Sequence, residues 1–412
     1  MVNKTIYSKR QILKELSFGN VRSAHEISLL IKKSLPLTTR LVAELVEEGF
    51  IKESGYASST GGRRPQMYAL IPGKIFVISV AMDQLVTKIG IIDIYSSNVE
   101  NVEKFDLPLI QNANALNELT NYIKEYISKT AVDKEKIIGI GIGMPGFVDV
   151  DKGINYSFLD NGGKSISATI EEEVGMPVFI DNDSSLIALT ELKLGAARDN
   201  KNTMVINLGW GVGLGLIING EMFRGNNGLA GEFSHIPLFE NNKLCGCGKS
   251  GCLETEASLL VVLSKAKEEL KKGRVSIIKE ISGDFEKDST NIINAALNGD
   301  QLAVELLAET AYNIGRGIAI LIHIINPELV IISGRGALAG NMLLAPIQQA
   351  VNKYCIPRLA AYTKIEISSF GSNAELVGGA ALVIEKNDKK PGKQIKNNIA
   401  INGKIINKNI SA

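Results

Sequence analysis

The sequence predicts an α/β protein of two similar lobes carried behind an N-terminal winged helix-turn-helix. Three observations predict it. Helical spacing fills the first 50 residues and gives way to two short strands around a basic glycine tip; β-branched runs alternate with helices from about residue 74; and hairpin-like units with Gly-rich turns open at both Ile75 and Met204.

Residues 8–18 carry Ile12 and Leu16 at helical spacing, and Ser23 with Glu26 frames a capping box ahead of Ile27, Leu30 and Ile31. After a break at Ser34, Leu35 and Pro36, a third helix over 37–48 turns Leu41, Val42 and Leu45 inward, and Gly49 provides its left-handed stop. Strands at 50–54 and 66–70 flank the tip Gly61, Gly62, Arg63, Arg64 and Pro65, where glycines turn the chain and guanidiniums reach a groove. In the third helix Arg40 is the base-reading candidate, and Thr38 and Thr39 suit base edges or phosphates. A small helical dimerisation module is the alternative for this segment.

Further strands are expected at 75–82, 88–94, 137–143, 178–180, 204–207, 212–218 and 329–333, with helices at 115–130, 184–195, 258–272 and 301–323. The domain reading is therefore 1–72 for the DNA-reading unit, 73–385 for the two lobes with a cleft between them, and 386–412 for a basic, loose tail.

At 412 residues the chain is long enough for two to four domains of roughly 100–200 residues each. Its 45% hydrophobic and 22% charged residues exclude collagen, disorder and a disulfide scaffold. The apolar stretch at 317–333 is interrupted by His323, Asn326, Pro327 and Glu328, short of the ~20 residues a membrane span needs. The charged N-terminus leads into no apolar signal core, so no membrane partner and a cytoplasmic location are expected. Residues 1–72 hold 11 basic against 6 acidic side chains and residues 386–412 hold 7 against 1, whereas the middle holds 27 against 37. Affinity for a polyanion therefore belongs to the ends, and the middle is left to bind something small.

Three of the four cysteines fall within eight residues, at Cys245, Cys247 and Cys252, after His235. Zinc takes four such donors in a tetrahedron, and the intervening glycines let the backbone wrap the ion. A disulfide would leave one thiol of the cluster over, in a reducing compartment. Four protein ligands leave no open position, so the site is structural, and Cys355 reads as a small buried hydrophobe. Glu232 and Glu254 are tied to the two ends of this knot, and pinned carboxylates suit a polyol. A strand running into Asp181, Asn182 and Asp183 ends just before a helix, where α/β folds gather ligand groups. Asp181 alone reads as a helix cap or solvated charge, Asn182 and Asp183 as site residues, with Asp183 placed to act as a base toward a hydroxyl. The glycine runs at 139–146 and 209–215 suit either backbone contact with a ligand or close strand packing, and Trp210 argues against a phosphate there.

These residues resemble the ROK family (repressor, open reading frame, kinase), sugar-responsive repressors and sugar kinases of the actin-like ATPase fold, over about residues 8–385. The loop from Cys245 to Glu254 after Glu232 and His235 carries the resemblance, and residues 59–65 resemble the wing of the repressor branch. It implies zinc on His235, Cys245, Cys247 and Cys252, and sugar hydroxyls on Asn182, Asp183, Glu232, His235 and Glu254. Asp183 falls at the position of the kinases' base. Where the kinases open their first lobe with Asp-x-Gly-Gly-Thr, this chain has Ala81, Met82, Asp83, Gln84 and Leu85, so the magnesium-side carboxylate and both glycines are gone. Trp210 replaces a threonine of the second phosphate loop, while Asn326, Pro327, Gly334 and Gly336 keep the look of the adenosine-side segment. The Asn of an Asn-Leu-Pro-like motif expected around 158–162 is missing, with Asn161 or Asn155 in its stead.

The resemblance thus implies a repressor that binds operator DNA and a small sugar, acts as a homodimer or higher homo-oligomer, holds zinc, and has no catalytic residue. The alternatives are an ATP-dependent sugar kinase, and a DNA-binding protein whose second domain serves assembly alone.

Overall fold

Alternating apolar residues build two five-stranded sheets of the same strand order in the computed structural model, which describes residues 2–58 and 64–387. The chain divides into two units. One comprises Met1–Ile142, Asn161–Ile180 and the stretch from Gly379 onward; the other comprises Gly143–Asp160 and Asp181–Gly378.

The first unit begins with helix α1 (Val2–Glu15), strand β1 (Arg22–Ser23), helices α2 (Ala24–Leu30) and α3 (Leu35–Glu47), and strands β2 (Ile51–Tyr56) and β3 (Gln66–Leu70), paired in the order β1-β3-β2. Ile12, Leu16, Ile27, Leu41, Val42 and Leu45 are among its buried residues, whereas Leu30, expected inward, is exposed. The capping box forms: the Glu26 amide donates to Ser23 Oγ at 3.2 Å and the Ser23 amide to Glu26 Oε2 at 2.7 Å. Pro36, read as part of a break, lies inside the first turn of α3, where a missing N–H costs nothing. Gly49 is left-handed as expected, with φ of 73°. Arg63 and most of the wing tip lie outside the described residues, as do residues 388–412 of the tail.

The sheet of this unit uses β4 (Phe76–Met82), β5 (Val86–Asp93) and β6 (Val99–Asp106). Then follow α4 (Ala115–Lys129), β7 (Ile137–Met144), a two-stranded hairpin of β8 (Val148–Asp149) and β9 (Ile154–Asn155), α5 (Ile166–Val174) and β10 (Val178–Asn182). Its order is β10-β7-β4-β5-β6.

The second unit continues with α6 (Asp183–Lys193), β11 (Thr203–Leu208), β12 (Val212–Ile218), β13 (Glu221–Phe223), α7 (Glu254–Ala257), α8 (Leu259–Lys271), α9 (Phe285–Leu297) and α10 (Gln301–Ile325). It ends with β14 (Leu329–Ser333), α11 (Leu344–Tyr354), α12 (Pro357–Ala360), β15 (Lys364–Ile367) and the start of α13 (Ala374–Lys386). Its order, β13-β12-β11-β14-β15, repeats that of the first sheet: third, second, first, fourth, fifth. The duplication suggested by Ile75 and Met204 is thus present in the sheets.

Side-chain alternation sorts this second sheet into two faces. Met204, Ile206, Leu208, Val330 and Ile332 pack with Ile314, Ile318, Ile347 and Val351 of α10 and α11. Val205, Ile217 and Ile331 pack with Ile187 and Ala188 of α6 on the other face. Cys355 is buried in the first of these clusters, as a small hydrophobe. Among the described residues no helix is long and apolar enough to cross a membrane.

Helices α10 and α11 approach closely at Gly315, where a Cβ would lie 2.7 Å from the Ile347 carbonyl oxygen. Gly315→Ala therefore sets helix propensity against packing, and packing wins: urea unfolding should find the variant less stable by about 1–3 kcal/mol. Equal or greater stability would mean that the helices can part without loss.

Candidate functional site

The site of the second unit starts where β10 ends. Asn182 caps α6, its Oδ1 accepting from the amides of Ser184 at 3.0 Å and Ser185 at 3.2 Å, while its Nδ2 donates to the Gly146 carbonyl at 3.1 Å. Asp183 is thereby the first residue of the helix, where the dipole favours a carboxylate. Its Oδ1 accepts from the Ser184 amide at 2.7 Å, and its Oδ2 from Asn207 Nδ2 at 3.3 Å. Asn207, which sequence reasoning missed, thus helps to orient this carboxylate; only the strand pairing of β11 with β12 and β14 brings it there.

Asp181 is neither a cap nor a solvated charge. Its side chain is 2% exposed and paired with Arg224 Nη2 at 2.6 Å.

Glu232 precedes the short 3-10 turn Phe233–His235, and Glu254 opens α7. Burial, opposed by His235 but reinforced by Asp183 and Glu254, holds the Glu232 carboxyl above its ordinary range. The three acids therefore lie in one electrostatic field, which suits the hydroxyl donors of a neutral polyol.

His235, Cys245, Cys247 and Cys252 converge, their ligand atoms all within 4.8 Å of one another. Cys247 and Cys252 sulfurs are 3.6 Å apart, and His235 Nδ1 is 3.5 Å from Cys245 Sγ. A tetrahedron with metal–sulfur bonds of about 2.3 Å and metal–nitrogen bonds of about 2.0 Å has edges of about 3.5–3.8 Å. The donor set therefore fits a tetrahedral thiolate–imidazole metal site. Burial and the neighbouring thiols of Cys247 and Cys245 push the Cys252 thiol up to about 12, a cost that a bound dication reverses. The two ring nitrogens of His235 face different groups: Nδ1 faces the thiols, and Nε2 faces Glu232 Oε2 at 3.7 Å.

The glycine run at 209–215 makes room for this site. A Cβ on Gly211 would lie 2.8 Å from Glu254 Oε2, and one on Gly213 would lie 1.9 Å from Ser184 Oγ. Trp210 meets Phe285 edge-on with ring centroids 5.9 Å apart, and Arg335 lies over its ring at 5.1 Å while bonding Glu286 at 2.6 Å.

In the first unit, the turn between β4 and β5 is closed by Asp83, whose Oδ1 accepts from the amides of Leu85 and Val86, both at 2.7 Å. Amides that could cradle a phosphate are taken by a carboxylate of the chain itself. Of the two asparagines offered in place of the missing sugar contact, Asn155 is committed to its loop. It accepts from Ser157 and Phe158 amides at 2.9 and 3.0 Å and donates to the Pro145 carbonyl. Asn161 donates to Thr169 Oγ1 at 2.9 Å.

At the N-terminal helices Thr39, Arg40 and Arg64 are exposed. Thr38 is not available to DNA: it is fully buried and its hydroxyl donates to the Ser34 carbonyl at 3.1 Å, because it falls on the inner face of α3. Lys9 of α1, also unforeseen, pairs with Glu44 of α3 at 2.8 Å and with Glu48 at its C-terminal end at 2.6 Å, linking the two helices.

A ROK family model matches residues 81–386. A glucokinase of Halalkalibacterium halodurans is 35% identical over 294 residues, covering 69% of this chain and 88% of that protein. A putative xylose repressor of a Caldicellulosiruptor species is 30% identical over 393 residues, covering 92% and 95%. The crystal structure of a ROK family transcriptional regulator, a homologue of the E. coli MLC protein, superposes with a TM-score of 0.74 at 25% identity, covering 93% of this chain and 97% of that one.

The metal cluster is testable without reference to any activity. Cobalt(II) added to chelator-treated protein should give the absorption bands of tetrahedral thiolate coordination, and Cys247→Ser should weaken or abolish them. A featureless spectrum of the parent would reduce the cluster to neighbouring thiols.

Proposed function

The chain belongs to the ROK family, and on that premise we propose that it is a sugar-responsive transcriptional repressor, using zinc as a structural ion and carrying no working ATP site. The observation that carries this reading is coverage. A 92% match to a repressor must include part of the N-terminal helices, whereas the glucokinase match, at 69%, is short enough to leave them out altogether.

In this reading residues 1–72 form a winged helix-turn-helix that grips operator DNA. Arg40 and Thr39 on α3 enter the major groove, and Arg64, with Arg63 beyond the described residues, reaches from the wing. A single module of this size gives modest specificity, so the working unit is a homodimer on paired half-sites. Asp183, Glu232 and Glu254 accept from sugar hydroxyls, with Asn182 and His235 Nε2 beside them. His235 Nδ1 and the three thiolates hold zinc, whose bound charge pins the loop that bears both glutamates. Sugar binding then changes operator affinity by a coupling of about 1–3 kcal/mol. A cytoplasmic location keeps the thiols reduced.

The second reading is an ATP-dependent sugar kinase, favoured by the 35% identity to a glucokinase and by Asp183 at the position of the base. Against it stand the turn amides taken by Asp83 and the Arg335 guanidinium stacked on Trp210. Incubation with ATP, magnesium and D-glucose or D-xylose should give no sugar phosphate; phosphorylation that disappears in Asp183→Ala would establish the kinase instead.

In mobility-shift titrations Arg40→Ala should weaken operator binding by about 1–3 kcal/mol, and Arg64→Ala should reduce it in a salt-dependent way. Unaltered binding in both removes the DNA-reading assignment. Calorimetry against a panel of pentoses, hexoses and amino sugars should find one ligand whose binding is lost in Glu254→Gln. Silence across the panel would favour a domain that serves assembly alone.

A further inference from the structure

We propose that the ion pair between buried Asp181 and partly exposed Arg224 is a positioning device for the carboxylate site, joining the segment that carries Glu232 to the segment that carries Asp183. The assignment of a ligand to those carboxylates rests on the reading above; the tether itself is a matter of geometry.

Asp181 lies two residues before Asp183, and its two oxygens have separate tasks. Oδ1 accepts from the amide of Asn182 at 2.9 Å, fixing the strand end, and Oδ2 accepts from Arg224 Nη2 at 2.6 Å. Arg224 follows β13 and begins the loop that ends at Glu232. Its carbonyl accepts from the Ala230 amide at 3.1 Å, so residues 224–230 close into a ring. The next residue, Gly231, has φ of 108° and lies so close to the Leu214 carbonyl that a Cβ would sit 2.4 Å from its oxygen. Glu232 thus leaves from a segment held at both ends: by Arg224 at the base of the loop and by Gly231 against β12.

One segment carries Asp183 and the other Glu232, and like charges press two such segments apart. Neither backbone hydrogen bonds within the loop nor the cap on α6 oppose that separation. The guanidinium–carboxylate pair does, since it crosses from one segment to the other and its carboxylate end is buried, where attraction is less screened than at the surface. Neither residue needs to touch the ligand.

The test uses full-length, metal-loaded protein in five forms: parent, Arg224→Met, Arg224→Lys, Asp181→Asn, and the double variant Asp181→Asn/Arg224→Met. Two readouts are taken: amide hydrogen exchange, and calorimetric titration with D-xylose, D-glucose and N-acetyl-D-glucosamine. Arg224→Met and Asp181→Asn should speed exchange in peptides covering 181–185 and 225–235, with metal content and exchange across 301–325 unchanged. Affinity for whichever sugar the parent binds should fall about 10–100-fold, about 1.4–2.7 kcal/mol at 1.4 kcal/mol per decade. Arg224→Lys should recover most of both losses. The double variant, which strands no buried charge, should stay mobile and weak, separating a lost tether from a lone-charge penalty. Parent-like exchange in Arg224→Met, or recovery of parent behaviour in the double variant, overturns the proposal. If Arg224→Met does not fold, Asp181→Asn decides it by the same exchange criterion, parent-like exchange in it overturning the proposal. If the parent binds none of the three sugars, the sugar reading fails for them, while exchange still decides the tether.

Discussion

Holding Asp183, Glu232 and Glu254 in one electrostatic field is the constraint on which the loops of the second unit depend. Like charges brought together repel, and burial adds to the cost of keeping Glu232 ionised. No single strand or helix carries all three acids, so the opposition must come from contacts between segments. Asp183 sits on a helix N-terminus, Glu232 faces His235 Nε2, and Glu254 leaves a loop whose thiols and imidazole converge. A dication, if bound among those donors, would add positive charge at the shared edge, and Arg224 pairs with Asp181 at the base. The glycines at 211 and 213 serve the same end, because larger residues would push Glu254 and Ser184 out of place.

The two regions that resemble a nucleotide site in sequence are filled from within. At the β4–β5 turn a carboxylate of the chain occupies two amides, so an incoming phosphate meets negative charge where it needs donors. Around Trp210, the stack of Phe285, Trp210 and Arg335, locked by Glu286, satisfies a guanidinium and covers a ring. In both places groups of the chain itself satisfy the donors: two backbone amides at the turn, and a guanidinium beside Trp210.

Much of the fold was legible in the residues, and the misses share a cause. Strands β4, β7, β11, β12 and β14 are rich in apolar or β-branched residues and are central in their sheets. Edge strand β6, with the sequence VENVEKFD, and edge strand β15, with KIEI, alternate charge with apolar side chains and lack that density. Helices α5, α9, α11 and α13 also went unseen, their apolar faces being broken by polar or small residues that acquire a partner only on packing. Thr38 shows the finer limit: it was read with Thr39 and Arg40 as a DNA contact, but it falls on the inner face of α3 and is buried.

The sequence by itself determined the chemistry: four soft donors with wrapping glycines, acids at both ends of that loop, an acid at a strand-to-helix junction, and a basic, glycine-tipped N-terminal module. These are local properties, set by residue type and spacing. Only the tertiary structure decided that Asn207 meets Asp183, that Arg224 meets Asp181, that Lys9 clamps α3, and that Asp83 fills its own turn. Such pairings depend on which strands lie side by side and on how side chains rotate to satisfy buried charge. Both are fixed by packing across long sequence separations, or by geometry that residue order leaves open.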